Sequence, residues 1–209
     1  MMNVTQKEKA VRFQALHEGP GAFFIPNPWD VASARVLAGF GFQALATSSA
    51  AAACVVGRRD HGLAPAVERI AAAAEAARAL QFAFVLTARA HNLLYANPNL
   101  DETISRLQAF ENAGADVLFA PGLPDLAAVS AVCAALSRPV NFMVGIKGRS
   151  FSVAELAAAG VRRISLATSL YRAAMTGFLD AVREVKDTGT FDFLNRCVTT
   201  PELNKRMQI

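Results

Sequence analysis

The chain has 209 residues, 53% hydrophobic and 18% charged, enough apolar material for one domain with a sizeable core and a composition that argues against disorder. Its net charge of +4 is spread along the chain with no Lys/Arg run or interleaved aromatic residues, which argues against a nucleic-acid surface and stays compatible with a small anionic ligand. Three cysteines, Cys54, Cys133 and Cys197, have neither paired spacing nor an even count, so they read as small apolar residues in a reducing, cytoplasmic setting, not as a disulfide framework or zinc site.

The N-terminus carries Lys7, Glu8 and Lys9 where a secretory segment would be apolar. Periodicity predicts a helix over 6–16, after which Gly19-Pro20-Gly21 breaks the chain before a short apolar strand over 22–26. Asp30 can cap a helix over 31–38, ended by Gly39 and Gly41 ahead of a strand over 42–47. The most apolar tract, 44–56, is interrupted by Thr47, Ser48 and Ser49 and is shorter than the roughly 20 residues that cross a bilayer, so no membrane span is expected.

The rhythm repeats. Helix 66–80 leads to strand 82–88, helix 101–112 passes through Gly114 to strand 116–120, and helix 125–136 precedes strand 139–144. Helix 153–158 runs through Gly160 into strand 162–167, and a long helix over 170–186 closes the series. The expected strands number six, each an unbroken apolar run of the kind parallel sheets bury on both faces, which indicates one α/β layer architecture over residues 1–187. Residues 188–209 leave this rhythm: Phe191, Phe193 and Leu194 are candidate anchors and Pro201-Glu202-Leu203 opens a short helix, a tail that would dock on the domain or on a neighbouring subunit.

In parallel α/β folds the chemistry gathers where the carboxyl ends of the strands open into loops. The candidates there are Asn27 and Asp30; Ser48 and Ser49; Arg58, Arg59 and Asp60; Arg89, His91 and Asn92; Pro121-Gly122; Asn141 with Lys147 and Arg149 beyond it; and Thr168 with Ser169. The bland readings stand beside these. Serines at strand ends commonly satisfy turn amides, and Lys147 and Arg149 flank Gly148 in a loop expected to face water. An arginine ending an apolar strand needs an anion, so Arg89 meets either a ligand or an internal acid such as Asp60. His61, His91 and Asp60 could form a makeshift metal site, although no ligand spacing links them, and Cys54 has no base beside it.

Several of these segments recur in order as a set. Pro26-Asn27-Pro28-Trp29-Asp30 with Ser33-Ala34-Arg35, Ala46-Thr47-Ser48-Ser49-Ala50, Gly57-Arg58-Arg59-Asp60, Thr87-Ala88-Arg89, Gly114-Ala115-Asp116 and Pro139-Val140-Asn141 resemble successive strand-end motifs of the isocitrate lyase/phosphoenolpyruvate mutase superfamily, near its carboxyvinyl-carboxyphosphonate phosphorylmutase-like and 2-methylisocitrate lyase-like members. The resemblance implies a (β/α) fold derived from the TIM barrel with about six of eight strands. It also implies a small carboxylate substrate, a 2-oxo or hydroxy acid bound to magnesium, whose enolate is stabilised while a C–C or P–C bond is made or broken. By the same resemblance Arg89 binds the substrate carboxylate, Ser48, Ser49 and Asn141 contact the substrate, and Asp60 is a catalytic acid near the magnesium but outside its direct ligands.

The departure from the family lies between Asp60 and residue 66, where a strand with the acidic magnesium motif, a helix, a Glu-Asp strand end and a gating loop would stand. Their absence predicts weak or no magnesium binding, because Asp60 alone is a poor site. Two readings follow: a lyase or mutase keeping part of the family site, or a catalytically silent module for ligand binding or oligomerisation. A barrel short of strands is also expected to stay open between its second and third strands and, through its unpaired edges, to form a homo-oligomer.

Overall fold

The computed structural model describes residues 5–27, 31–46, 63–94 and 98–207. Among them the chain forms eight α-helices and five strands. The elements run α1 (Gln6–Glu18), β1 (Phe23–Ile25), α2 (Val31–Gly39), α3 (Leu63–Arg78), β2 (Thr87–Arg89), α4 (Leu100–Asn112), β3 (Val117–Phe119), α5 (Leu126–Ala134), β4 (Val140–Met143), α6 (Val153–Ala158), β5 (Arg163–Ser165), α7 (Ser169–Asp187) and α8 (Thr200–Met207). Short 3-10 turns cover Asn92–Leu94 and Asp192–Arg196.

Local chemistry explains most helix boundaries. Thr5 with Glu8 and Ser152 with Glu155 form reciprocal capping boxes that start α1 and α6, while Asn99 and Asp125 accept the free amides that open α4 and α5. Gly114 and Gly160 follow the ends of α4 and α6 at φ +99 and +96, and a Cβ there would lie 2.9 Å from Ala74 Cβ and 2.8 Å from Cys133 Cβ. Only glycine accepts that backbone and that approach, so both helices stop there and the chain turns into the next strand.

All strand pairs are parallel, in the order β1-β5-β4-β3-β2. Each strand from β3 to β5 lies beside its predecessor, and the first strand returns to pair with the last. That cyclic order is the winding of a barrel, whereas a doubly wound sheet reverses direction part-way. Side chains alternate across the arc. Ala88, Leu118, Val140, Phe142 and Ile164 point outward and are buried against the helix layer, where Leu107, Phe110, Val129, Val132 and Leu156 complete the core.

Two expected strands need correction. Residues 42–46 are irregular and largely half-buried, joined to the first strand's end by one backbone bond, from Ala46 N–H to the Pro26 carbonyl at 3.1 Å. Apolar character draws this segment inward, and Phe42 meets Phe24 edge-on at 6.3 Å, yet burial without a neighbouring ladder does not make a strand. Five strands are therefore observed among the described residues instead of six, and among them β1 and β2 are the two edge strands of the arc. The run 82–88 also shortens to Thr87–Arg89: Leu86 N–H donates to the Asp116 carboxylate at 2.8 Å, so a side chain takes the place of a ladder rung, and Phe82 and Phe84 remain exposed.

The tail after α7 is held locally. The Glu184 carboxylate accepts from Thr190 Oγ1 at 3.1 Å and Phe193 N–H at 3.3 Å, and α8 packs on α2 with the Arg206 guanidinium 4.7 Å from the Phe40 ring centre. Among the described residues no helix is long and apolar enough to cross a membrane.

Candidate functional site

The inward side of the arc carries the polar side chains. One register row runs Arg89↔Phe119↔Asn141↔Arg163↔Phe23, across all five strands. Strand period two puts these residues on one face, and the row above it holds Met143, Ser165 and Ile25. Together they enclose a cavity of about 700 Å³ whose polar lining includes Asn27, Thr87, Arg89, His91, Asn141 and Arg163.

Arg89 ends β2, half-buried, with its guanidinium carbon 5.9 Å from the Phe119 ring centre. Arg163 starts β5 and is 8% exposed. Its side chain crosses the lumen: Nε donates to Asn141 Oδ1 at 2.9 Å on the adjacent strand, and Nη1 to Thr87 Oγ1 at 3.0 Å on β2. Both partners are neutral, and burial pulls the Arg163 pKa down to about 10. Asn141, 1% exposed, also donates from Nδ2 to Ser165 Oγ at 3.0 Å, so Arg163, Asn141 and Ser165 form a hydrogen-bonded chain across β4 and β5. No acidic side chain lines this cavity among the described residues, which makes it a cationic pocket suited to a small anion.

The expected site residues fall into three groups. Arg89 and Asn141 do share the cavity, and His91 and Asn27 join them. Asn27 Nδ2 donates to the Ala46 carbonyl at 2.8 Å, while its buried Oδ1 has no partner among the described residues. Asn92 is no part of the lining: its Nδ2 donates to Thr103 Oγ1 and to the Asn99 carbonyl, pinning the loop after β2 to α4. Arg149, expected to face water, instead donates to the Gly122 carbonyl at 2.9 Å and ties two strand-end loops together. Ser48, Ser49, Asp60, Asp30, Cys54 and His61 lie outside the described residues.

Arg163 escaped the sequence reading because strand 162–167 passes for a uniform apolar run. A usable signal was present. Two adjacent arginines in a strand must face opposite sides, and here Arg162 turns out to the Gly19 carbonyl at 3.1 Å while Arg163 turns in.

A second cavity, of about 400 Å³, opens at the amino ends of the strands beside α1 and includes His17, Arg78 and Asp116. His17 is buried between Phe13 and Phe23, each ring 4.9 Å away edge-on. Its Nδ1 donates to the Phe13 carbonyl at 2.9 Å, and burial lowers its pKa, so a neutral ring anchors α1 under the arc.

The sequence pattern of the phosphoenolpyruvate phosphomutase family matches residues 13–67 and 61–186, more than half of the chain. The chain belongs to this family. The match comes as two segments that overlap at 61–67. A protein of Burkholderia cenocepacia J2315 assigned as a lyase/mutase is 37% identical, with 98% of this chain and 97% of that one covered at a TM-score of 0.91. A second protein of that organism, assigned as a phosphonomutase, is 26% identical, with 86% and 99% covered at 0.73. The fold is also that of oxaloacetate acetylhydrolase solved with its product oxalate, 18% identical over 96% and 94% of the two chains at a TM-score of 0.81. Among curated proteins none matches.

With the family and the winding both established, the fold of this phosphomutase-family chain is a TIM-barrel-derived arc, and its inward row includes Arg89 at the carboxyl end of β2, the side of the strands where barrel enzymes of all kinds place their chemistry.

Proposed function

We propose that the arc cavity binds a small 2-oxo or hydroxy carboxylate, with Arg89 gripping the carboxylate, and that its chemistry is the making or breaking of a C–C or P–C bond through the enolate of that acid. The observation that carries this reading is the pair of arginines facing one cavity that no described acidic side chain lines. A bidentate guanidinium is a good match for a carboxylate, and the remaining Asn141 Nδ2 proton can reach the same ligand. The unpartnered Asn27 Oδ1 offers an acceptor for a hydroxyl. Ser48 and Ser49 are proposed as further donors and Asp60 as the acid. Similarity along 98% of the chain to a protein assigned as a lyase/mutase supports catalysis over a silent module. The free Cys133, its thiol pushed up to about 11 by burial, suits the cytoplasmic setting of this reading.

The described side chains that line the cavity do not by themselves fit magnesium. Among the described residues no cluster of His, Cys, Asp or Glu could hold a metal, and two guanidinium groups repel a divalent cation that asks for carboxylate oxygens. Calorimetric titration with magnesium is expected to give a Kd weaker than about 1 mM, followed by measurable binding of oxalate or pyruvate without the metal. Tight magnesium binding would restore the metal-dependent route, and no binding of either acid would remove the carboxylate reading.

A homo-oligomer is part of the proposal. Helix α7 has no buried residue among its 19, and it exposes Phe178, Leu179, Val182 and Val185. Such an amphipathic face gains by pairing with a second copy. Sedimentation velocity is expected to show an assembly that Phe178→Glu dissociates; a wild-type monomer at every concentration would reject it.

A further inference from the structure

We propose that Arg163 is a second anion anchor of this cavity and gives it selectivity for ligands that carry two negative groups. The inference rests on the carboxylate reading of the cavity and adds the residue that would discriminate among carboxylates.

A guanidinium offers five N–H donors. Among the described residues Asn141 Oδ1 and Thr87 Oγ1 take one each, at 2.9 and 3.0 Å, which leaves three. The side chain is more than nine-tenths buried and faces the lumen, and its two partners are neutral oxygens. Neutral oxygens offset little of the cost of removing a full positive charge from water, whereas an anion within reach would offset much of it. A purely structural cross-link between β5, β4 and β2 is the competing account. A neutral amide could make those two bonds without burying a charge, so the charge itself calls for a counter-ion. The fork is also held in place: Asn141, which orients Nε, is itself fixed by Ser165. A preorganised fork loses little freedom on gripping a carboxylate or phosphonate.

The geometry also sets the ligand's size. By reaching Thr87, the Arg163 guanidinium arrives at the strand that bears Arg89, two residues earlier and so about 7 Å along it. Two anchors this close suit a short dianion with its charges a few bonds apart.

The test is calorimetry at constant ionic strength with propionate, malonate and succinate on the wild type, Arg163→Met and Arg163→Lys. Wild type is expected to favour the dianions by about tenfold or more, the effect of one charge-assisted contact. Arg163→Met should erase that preference while moving propionate affinity less than about threefold, and Arg163→Lys, with a charge but no fork, should keep part of it. If Met at this position prevents folding, the Lys variant and the wild-type ratio still decide. Carboxylate binding with the same dianion-to-monoanion ratio in the variants, or no dianion preference in the wild type, overturns the role of Arg163 alone. Binding of none of the three probes overturns the carboxylate reading with it.

Discussion

Arg89→Ala is expected to lower the affinity for oxalate or pyruvate by about a hundredfold or more, beyond detection in most titrations. Two charge-assisted hydrogen bonds to a carboxylate contribute roughly 1.5–3 kcal/mol each, and each 1.4 kcal/mol is tenfold in Kd. The effect should survive moderate salt, because the cavity walls shield the pair from the screening that erases surface ion pairs. Arg89 ends its strand and stacks at 5.9 Å on Phe119, so its loss should leave the fold intact, which circular dichroism can confirm. Arg89→Lys should recover a minor part of the affinity, a point charge replacing a fork. Unchanged affinity in Arg89→Ala would show that the carboxylate is held elsewhere.

The largest stability effect is expected from Leu118→Ala. Leu118 is 0% exposed on the outward face of β3, between β2 and β4, where the sheet meets the helix layer. Removing its branched end takes away buried apolar surface and leaves a void that strands held on both sides cannot collapse, a loss of about 3–4 kcal/mol. Against a typical total of roughly 5–15 kcal/mol that is a large fraction. Urea unfolding should show a lower midpoint at unchanged slope. A control at the exposed Val11, 54% accessible, should shift the midpoint little. Equal midpoints for Leu118→Ala and wild type would mean that the sheet–helix interface is not where the stability resides.

Helices were the most legible part of the chain. Gly114 and Gly160 follow the helices they were expected to follow, and the caps Thr5 with Glu8, Ser152 with Glu155, and Asp125, which the sequence reading did not single out, also act within four residues. Strands were legible as centres but not as extents. Apolar runs say that a segment is buried, and whether it joins a ladder depends on a neighbour that local sequence does not specify. Residues 42–46 and 82–86 are the cases where that neighbour is missing or is replaced by the Asp116 carboxylate. Arg89 could be found because it ends an apolar run inside a recurring motif. Arg163 could not be found from a motif, and only strand alternation hinted at it.

By itself the sequence determined the α/β rhythm, the helices to within a few residues and the membership of the phosphoenolpyruvate phosphomutase family, all carried by spacings of a few residues or by ordered short motifs. The tertiary structure alone decided that β1 closes onto β5, that Arg89 and Arg163 share one register row, and that Arg163 reaches Thr87 across 76 positions of chain. The reason is physical. A cap or a turn satisfies hydrogen bonds inside its own segment, whereas strand register and the fate of a buried charge are settled only when distant strands pair and the lumen between them takes its shape.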